Sequence, residues 1–298
     1  SDGIANDSFG RSVSISGDGN TLVVGAPGSF QTQIQGGVYI FTRSSGVWTE
    51  QPKILVTPNI NNPSSIIGFG AKVIISADGS TLFAGTQYGV QYIYSLSGGV
   101  WAQEADLAQQ SGMNSLYHQG NYAALSADGN TALLGYESFP VNGVASGSAF
   151  FYSRTNGVWT LQSQVTPPNL DAGSNFGSSV GLSSDGNTAI INAPYSNSAK
   201  GHAFIYSRSG STWALQSTLS PQGNLLSSGF GNSVGISADG NTVFVNDQNV
   251  FGTDSGIYFF TRSNNIWTFN QALFGATVML YGGPGATPYQ LSPDGNYL

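Results

Sequence analysis

The chain has 298 residues, no cysteine and a formal net charge of −7, and 8% of its residues are charged, against about 25% in typical soluble domains. Its eight Lys and Arg residues are too few for the basic stripe that neutralises nucleic-acid phosphates, so nucleic acid is excluded as a partner and anionic membranes are disfavoured. Disulfides are excluded, and no apolar run reaches the roughly 20 residues of a membrane-spanning helix.

The first 50 residues predict four β-strands in chain order. Residues 13–16 alternate apolar and polar side chains, as a half-buried strand does. The tight turn at 18–20 contains Gly and Asn, which tolerate positive φ, and the apolar run 21–25 predicts a strand covered on both faces. A strand over 37–42, a second tight turn and a strand over 47–50 complete the unit.

This unit recurs about every 54 residues. The motif Ser-x-Asp-Gly places an aspartate at Asp18, Asp78, Asp128, Asp185, Asp239 and Asp294. The five tryptophans follow the same spacing, at Trp48, Trp101, Trp159, Trp213 and Trp267. Two independent markers with one period indicate a repeat architecture.

Four short strands per repeat predict an all-β fold, a β-propeller of four-stranded antiparallel blades. The predicted blades span residues 9–55, 69–107, 117–165, 176–219 and 230–273, with a partial sixth blade over 274–298. The large aromatic side chains of the third strands are expected to fill the space between blades. Because half a blade exposes unpaired strand edges, we expect the chain to be a fragment of a longer protein or to be completed by another chain.

Two short motifs recur in register with this repeat. A Phe-Gly pair stands at Phe9-Gly10, Phe69-Gly70, Phe176-Gly177, Phe230-Gly231 and Phe274-Gly275, and the third copy has Tyr117-His118-Gln119-Gly120 instead. Gly-Ala-Pro is complete at Gly25-Ala26-Pro27 and partial at Asn192-Ala193-Pro194. The chain resembles the FG-GAP repeat family, known from integrin α-subunit propellers and many bacterial and viral surface proteins. The resemblance implies a propeller of six or seven blades and a role in recognition.

The turn between the first and second strands departs from the integrin-type pattern. Integrin-type blades often carry a calcium loop there, and calcium takes six to eight oxygen ligands, several of them carboxylate. Here the loop is only Ser16 to Thr21 and its equivalents, with one carboxylate in each turn. We therefore expect each aspartate to accept hydrogen bonds from its own turn, and no calcium or other cofactor.

The sequence indicates no catalytic motif. Gly-x-Ser-x-Gly surrounds Ser179 and Ser233, but a nucleophile elbow requires a helix after the strand, and both serines lie in a predicted first strand. His118 and His202 lie in different repeats and have no metal-ligand spacing. We expect a protein that is not an enzyme, although loops of several blades can assemble a site that linear motifs do not reveal.

Half of the basic residues occupy one repeat position, five residues before a tryptophan. They are Arg43, Arg154, Arg208 and Arg262, and Leu96 stands at this position in the second copy. Each arginine is expected to stack on the tryptophan of its own hairpin. The alternative is a ring of arginines that binds an anionic partner.

Propeller topology predicts that the long, variable loops lie on one face and the short turns on the other. Variable loops on a rigid scaffold are where recognition usually resides, and aromatic side chains dominate binding hot spots. The candidate binding residues are Phe30, Gln31, Tyr88, Phe139, Tyr195 and Phe251. The alternative is that these side chains pack locally under their own loops.

Three functions are compatible with these observations. The first is a non-catalytic extracellular recognition or adhesion module, on a cell or virion surface, that binds a protein or glycan through the long loops. The second is a structural subunit of a filament, sheath or capsid, in which the partner is a copy of the same chain. The third is an enzyme with a site over the central channel of the propeller.

Overall fold

The structure is a computed structural model that describes residues 7–28, 36–56, 67–87, 89–107, 122–168, 172–221, 229–247 and 256–274. These residues form five four-stranded sheets and a two-stranded hairpin, which confirms the all-β prediction. Sheet 1 contains β1 (Ser12–Ile15), β2 (Thr21–Ala26), β3 (Gly37–Ser44) and β4 (Val47–Ile54). Sheet 2 contains β5 (Lys72–Ile75), β6 (Thr81–Gly85), β7 (Gln91–Ser97) and β8 (Val100–Asp106).

The other three sheets repeat this arrangement. Sheet 3 contains β9 (Tyr122–Leu125), β10 (Thr131–Tyr136), β13 (Ser148–Thr155) and β14 (Val158–Val165). Sheet 4 contains β15 (Val180–Leu182), β16 (Thr188–Ala193), β17 (His202–Ser209) and β18 (Thr212–Leu219). Sheet 5 contains β19 (Phe230–Ile236), β20 (Thr242–Asp247), β21 (Gly256–Ser263) and β22 (Ile266–Phe274).

Two shorter elements interrupt the long loops. The hairpin of β11 (Pro140–Val141) and β12 (Val144–Ala145) lies between β10 and β13. A single helical turn, α1 (Ser196–Ala199), lies between β16 and β17. Within the described ranges, no helix has the length and apolar character needed to cross a lipid bilayer.

The strand order follows the sequence because each strand pairs with its neighbour through a short connection. In sheet 1, β1 pairs with β2, β2 with β3 and β3 with β4, all antiparallel. Val13 pairs with Val24 and Ile15 with Leu22, so these four apolar side chains share one face. In sheets 1, 2, 4 and 5 the pairing of the third strand with the fourth contains a register shift, which lies between Val38 and Ile40 in sheet 1.

The chain divides into two compact units. The first comprises residues Ser1–Asn121, Leu125–Thr131 and Ser153–Leu161, and the second comprises Tyr122–Ala124, Ala132–Tyr152 and Gln162–Leu298. Sheets 1 and 2 belong to the first unit, sheets 4 and 5 to the second, and sheet 3 contributes residues to each.

In the first unit, sheets 1 and 2 pack face to face over a buried apolar cluster that contains Val23, Ile40, Val73 and Tyr94. Side-chain hydroxyls join the first strands of the two sheets: the Ser12 hydroxyl accepts a 3.0 Å hydrogen bond from the Val73 backbone N–H. Ser14 accepts an equivalent bond from Ile75, at 3.1 Å. Tyr92 and Tyr94 of the third strand β7 also lie in the buried cluster. Third-strand aromatic side chains thus fill the space between these two sheets, as predicted.

The Phe-Gly and Gly-Ala-Pro motifs meet where two sheets approach most closely. A Cβ at Gly25, the first residue of Gly-Ala-Pro, would overlap the carbonyl oxygen of Gly70, the second residue of the next Phe-Gly. Gly135 and Gly177 meet in the same way in the second unit. Glycine is required at these positions because any side chain would collide with the backbone of the next sheet.

The second unit replaces this glycine in two repeats, by Asn192 and by Asn246. Asn192 occupies the position, and its Nδ2 donates a 2.6 Å hydrogen bond to the carbonyl oxygen of Gly231 and a 2.9 Å bond to the Ser178 hydroxyl. Its Oδ1 accepts a bond from the Ser179 backbone N–H. The polar atoms of this buried side chain are all hydrogen-bonded. Between sheets 4 and 5 these bonds replace the close backbone contact that two glycines make in other sheets.

The first strand of sheet 1, β1, is exposed to solvent on one face. Val13 is 61% exposed, whereas Val73, the same repeat position in sheet 2, is 1% exposed. Ile15 is exposed as well, whereas Ile75 is buried. The predicted partial sixth blade lies outside the described residues, apart from Phe274, so its existence stays a prediction.

Candidate functional site

The structure describes two of the six candidate binding residues, Phe139 and Tyr195. Phe30, Gln31, Tyr88 and Phe251 lie outside the described residues. Both described residues belong to the second unit, on loops that connect the second strand of a sheet to the third. We call residues 137–147, 172–176 and 194–201 the loop surface.

The loop of sheet 3 is folded into the β11–β12 hairpin. Pro140 pairs with Ala145 and Val141 with Val144, and the turn contains Asn142 and Gly143 at positive φ, 51° and 81°. Asn and Gly at these two positions are the residues that such a turn favours. The sequence therefore gives this long loop a defined backbone.

Residues 172–176 join the loop of sheet 3 to the loop of sheet 4. The Gly173 N–H donates to the Ala145 carbonyl at 2.8 Å, and the Phe176 N–H donates to the Ser146 carbonyl at 3.1 Å. The buried Ser174 hydroxyl donates to the same Ser146 carbonyl at 2.7 Å. The Tyr195 N–H donates to the Ser174 carbonyl at 3.2 Å, so the two loops form one hydrogen-bonded surface.

Tyr195 is the exposed aromatic residue of this surface, with 48% of its area accessible. The next residue holds the loop in place: the Ser196 hydroxyl donates to the Ala193 carbonyl at 2.9 Å and contacts His202 Nδ1 at 2.7 Å. The backbone of Tyr195 is thus bonded on one side and anchored by Ser196 on the other. An exposed ring on a fixed backbone loses little conformational entropy when it binds a partner.

Phe139 lies differently. Its ring meets that of Phe150 edge to face, with centroids 5.2 Å apart, and Phe150 in turn contacts Tyr136 at 5.6 Å. Phe139 is half-buried and packs under its own loop. It fixes the loop surface to the core, whereas Tyr195 presents an aromatic ring to solvent.

One carboxylate of the loop surface is partly removed from water. Burial raises the pKa of Glu137, and the Tyr122 hydroxyl donates to its Oε2 at 3.4 Å. Burial, followed by the charge of Glu137, raises the pKa of Tyr122. Within the described residues, no group of three or more His, Asp or Glu side chains is arranged to hold a metal ion.

The repeated aspartates bond to their own turns, as predicted. Asp18 accepts hydrogen bonds from the Ser16 hydroxyl, the Asn20 backbone N–H and the Asn20 side-chain amide. These bonds, the Ser16 hydroxyl first, lower the pKa of Asp18 from 3.8 to about 2. The same three bonds recur at Asp128, Asp185 and Asp239, and at Asp78 the Ser80 hydroxyl takes the place of the side-chain amide.

The arginines stack on the tryptophans of their own hairpins, which confirms the structural prediction for this position. The distances from guanidinium carbon to ring centroid are 5.4 Å for Arg43, 5.6 Å for Arg154, 5.7 Å for Arg208 and 5.5 Å for Arg262. Sequence reasoning missed a second partner. Each Nε donates to the side-chain oxygen of the asparagine in the Asp-Gly-Asn turn of the same sheet, at 3.2, 2.8, 2.9 and 3.0 Å.

Ser179, the centre of one Gly-x-Ser-x-Gly string, has a structural contact. It is buried, and its hydroxyl accepts a 3.2 Å hydrogen bond from the Val234 N–H of the next sheet. Strand β16, not a helix, follows β15. The geometry is that of the Ser12–Val73 contact, not that of a nucleophile elbow.

Comparisons with solved structures define the class of the fold. A periplasmic gluconolactonase from Pseudomonas aeruginosa matches with a TM-score of 0.57 and 17% identity, over 88% of this chain and 71% of that one. The β-propeller domain of Cps50 (Swd1) from Myceliophteria thermophila matches with a TM-score of 0.55 and 13% identity, over 90% and 73%. The fold is therefore a β-propeller of four-stranded blades, as predicted.

A family model matches two segments of the chain. The family model described as FG-GAP repeat matches residues 1–41 and 159–206. The chain thus carries FG-GAP repeats, and the resemblance drawn from its motifs is confirmed. No curated protein matches the chain.

Proposed function

We propose that this chain is a non-catalytic recognition module that works outside the cytoplasm and binds a protein or glycan partner through the loop surface. The observation that carries the proposal is the half-exposed ring of Tyr195 on a loop held by backbone hydrogen bonds. Aromatic side chains on rigid, preorganised loops contribute strongly to binding. The low charge and polar composition are typical of exported proteins.

The experiment compares the wild-type chain with Tyr195→Ala on an array of defined glycans and purified cell-surface proteins. The proposal expects at least one glycan or protein to bind the wild type and to bind Tyr195→Ala at least about tenfold more weakly, the loss typical of an aromatic hot spot. Leu161→Ala is the matched control, because Leu161 is also exposed but lies on β14. Equal binding by wild type and Tyr195→Ala contradicts the proposal, as does an array without any bound partner.

The proposed absence of catalysis has its own support. The Gly-x-Ser-x-Gly serine of sheet 4 is buried and bonded to Val234, so it is not presented to a substrate. The likeness to the Pseudomonas gluconolactonase is at 17% identity and supports the fold alone. Lactone hydrolysis by the purified chain would overturn the non-catalytic proposal.

A structural subunit remains the second candidate, because Val13 and Ile15 are exposed on sheet 1 where their equivalents on sheet 2 are buried. An open apolar face of this kind is suited to a second copy of the chain. Under this function, Val13→Glu with Ile15→Lys converts a concentration-dependent oligomer into a monomer in sedimentation velocity. A wild-type chain that is monomeric at all concentrations rules this function out.

A further inference from the structure

The second repeat is the one in which the arginine position is occupied by Leu96, and a cavity lies there, inside the first unit. The cavity has a volume of about 550 Å³ and lies between sheets 1 and 2 at the tight-turn end of the strands. Its walls include Thr21, Gln51, Tyr94, Leu96 and Trp101. Cavities that bind small ligands have volumes of about 300–1,000 Å³.

The backbone around Leu96 has the same strand pairing and hydrogen bond as the backbone around the arginines of the other sheets. Leu96 pairs with Trp101 as Arg43 pairs with Trp48. The Leu96 N–H donates to the Ser80 carbonyl at 2.9 Å, and the Arg262 N–H donates to the equivalent Asn241 carbonyl at 2.8 Å. The backbone is thus equivalent, and the cavity includes the space that an arginine side chain fills in other sheets and extends along β4 to Ile54 and Leu55.

The arginines of other sheets show which groups receive a guanidinium in that space. Arg154 donates from Nη2 to the Thr81 hydroxyl at 3.0 Å and from Nη1 to Glu104 at 3.0 Å. Arg262 donates from Nη1 to the Thr188 hydroxyl at 3.3 Å. In each case the receiving residues belong to the preceding sheet.

The cavity retains these receiving groups. Thr21 begins β2 as Thr81 begins β6 and Thr188 begins β16. Gln51 stands three residues after the tryptophan of its hairpin, as Glu104 does. The Gln51 side-chain nitrogen donates to the Thr42 hydroxyl at 2.8 Å, which leaves its side-chain oxygen as an acceptor.

Two further features of the cavity point to a missing occupant. The buried Tyr94 hydroxyl lacks a hydrogen-bond partner among the described residues, although buried hydroxyls are nearly always bonded. At the equivalent position in sheet 4, the Tyr206 hydroxyl donates to the Thr166 carbonyl at 3.3 Å. Within the described part of the chain, no cation lies over the Trp101 ring, in contrast to the other four tryptophans of the repeat.

We propose that this cavity is a receptor for the guanidinium group of an arginine side chain that a partner polypeptide supplies. The guanidinium would lie over Trp101 and donate hydrogen bonds to Thr21 Oγ1 and Gln51 Oε1. Arg262 shows that neutral acceptors suffice for such a group in this fold, because its partner on the preceding sheet is a threonine hydroxyl. The side chains of Leu96 and Val100 are exposed at the mouth of the cavity, so an arginine on another chain can enter there.

The shape of the cavity and its hydrogen-bond acceptors favour arginine over lysine. A planar guanidinium stacks on an aromatic face and donates several hydrogen bonds at once, which the compact ammonium of lysine does not do. Lys53 also lines the cavity, but its ammonium lies 5.5 Å from the Tyr39 ring, and Tyr39 lies on the opposite face of sheet 1 from Ile40. The chain is acidic overall, with a net charge of −7, which favours cationic partners.

The test uses three capped tripeptides, Gly-X-Gly, in which X is arginine, citrulline or lysine. Citrulline has the shape of arginine without its charge, and lysine has the charge without the planar group. NMR of the ¹⁵N-labelled full chain reports binding through the indole N–H of Trp101 and the backbone N–H of Leu96. We expect the arginine peptide to bind with a dissociation constant on the order of 1 mM and the other two to bind at least about tenfold more weakly.

Three variants locate the binding. Leu96→Arg with Ser80→Asn restores the internal arginine and its asparagine, and is expected to abolish peptide binding. Leu161→Arg is the matched control, because Leu161 and Leu96 are both 38% exposed and the added charge is the same. The control is expected to bind as the wild type does. If the double variant fails to fold, Thr21→Val with Gln51→Leu removes the acceptors and is expected to weaken binding at least about tenfold.

Several results overturn the proposal. They are equal affinity for the arginine and citrulline peptides, peptide binding that persists in Leu96→Arg with Ser80→Asn or in Thr21→Val with Gln51→Leu, and ethylguanidinium binding without peptide binding. The last result would leave no room for a polypeptide partner. Tyr195→Ala does not alter this cavity, so the outcome is independent of the test of the loop surface.

Discussion

The contact between sheets 1 and 2 and the contact between sheets 4 and 5 join sheets with the same order of four strands, but different side chains fill the two contacts. Between sheets 1 and 2, Gly25 meets Gly70 at the loop end, and the tight-turn end has a cavity beside Leu96. Between sheets 4 and 5, Asn192 bonds to Gly231 at the loop end, and Arg262 bonds to Thr188 at the tight-turn end. The two pairs of sheets therefore pack in the same way. At the loop end and at the tight-turn end, a polar side chain bridges the sheets in one pair and is missing in the other.

The largest expected effect is at the loop end of the first contact. Gly25→Ala places a Cβ against the Gly70 carbonyl; Gly25 is held by its strand pairing on both sides and Gly70 by the hydrogen bond from its N–H to the Gly85 carbonyl. We expect a loss of about 4 kcal/mol in the free energy of unfolding, measured by urea denaturation. Asn192→Ala should cost less, about 2 kcal/mol, since it removes hydrogen bonds without a collision. A loss below that of Asn192→Ala would show that the sheets separate easily at Gly25.

The next largest effect is a difference in stability loss between two arginine variants at the same repeat position. Arg154→Leu leaves Glu104 without the guanidinium 3.0 Å away and should cost about 3 kcal/mol. Arg262→Leu removes hydrogen bonds to neutral groups only and should cost about 1.5 kcal/mol. Both values come from the same denaturation experiment. Equal losses would show that the stacking on tryptophan, which the two share, dominates over the contacts to the preceding sheet.

A smaller effect of opposite sign is expected when the second repeat is made like the others. Leu96→Arg with Ser80→Asn supplies the guanidinium and the asparagine that sheets 1, 3, 4 and 5 already have. We expect about 1 kcal/mol of stabilisation, or a rise of about 2 °C in Tm, measured by calorimetry. Leu96→Arg alone should stabilise less, because Ser80 does not reach the guanidinium as asparagine does. A lower Tm for the double variant contradicts the equivalence of the repeats.

The smallest effect concerns the Ser-x-Asp-Gly turns between the first and second strands, which are alike in both pairs of sheets. The pKa of Asp18 is lowered from 3.8 to about 2, and the pKa values of Asp78, Asp128, Asp185 and Asp239 are also lowered. A lowered pKa in the folded state contributes stability above the ordinary pKa, which is lost as the pH falls through the lowered value. The urea midpoint should therefore be constant above about pH 5 and fall between about pH 4 and pH 2.

The matched variant for this prediction is Asp18→Asn, which removes one titrating group and leaves the turn residues in place. It should be slightly less stable at neutral pH and should show a smaller loss between about pH 4 and pH 2 than the wild type. A urea midpoint that rises as the pH falls would have the wrong sign and would contradict the role of the carboxylates.

Sequence reasoning succeeded where the interacting residues belong to one hairpin. Asp18 bonds to Asn20, two residues away, and Arg43 stacks on Trp48, five residues away, so the spacing alone predicted both. The four strands of each sheet were predictable for the same reason, because hydrophobic alternation and turn residues are local signals. The all-β class and the FG-GAP repeats follow from the recurrence of these signals.

Contacts between sheets were not predictable in this way. Arg154 and Glu104 are 50 residues apart in the chain, and Ser174 and Ser146 are 28 apart. Neither pair has a spacing that distinguishes it from any other pair of polar residues. The sequence contains one signal for the cavity: in the second repeat Leu96 replaces the arginine and Ser80 replaces the asparagine. This double replacement can be interpreted only when the hydrogen bond between the arginine and the asparagine is known.

The two described candidate binding residues show the same limit of sequence reasoning. Phe139 and Tyr195 both follow a second strand and both are aromatic, yet Phe139 packs on Phe150 and Tyr195 is exposed. The difference depends on the β11–β12 hairpin and on residues 172–176, which come from another part of the chain. Loop composition predicted where an exposed ring would lie, but not which ring.

The serine hydroxyls between first strands have a consequence for how such proteins evolve. Ser12 bonds to the N–H of Val73, and Ser179 bonds to the N–H of Val234, so the hydroxyl of one repeat bonds to a backbone amide of the next, and a serine is the only side chain that this contact needs. A duplicated gene segment therefore encodes a module that already fits its own copy, without new mutations at the junction. Natural lineages are expected to gain or lose whole modules more readily than single strands.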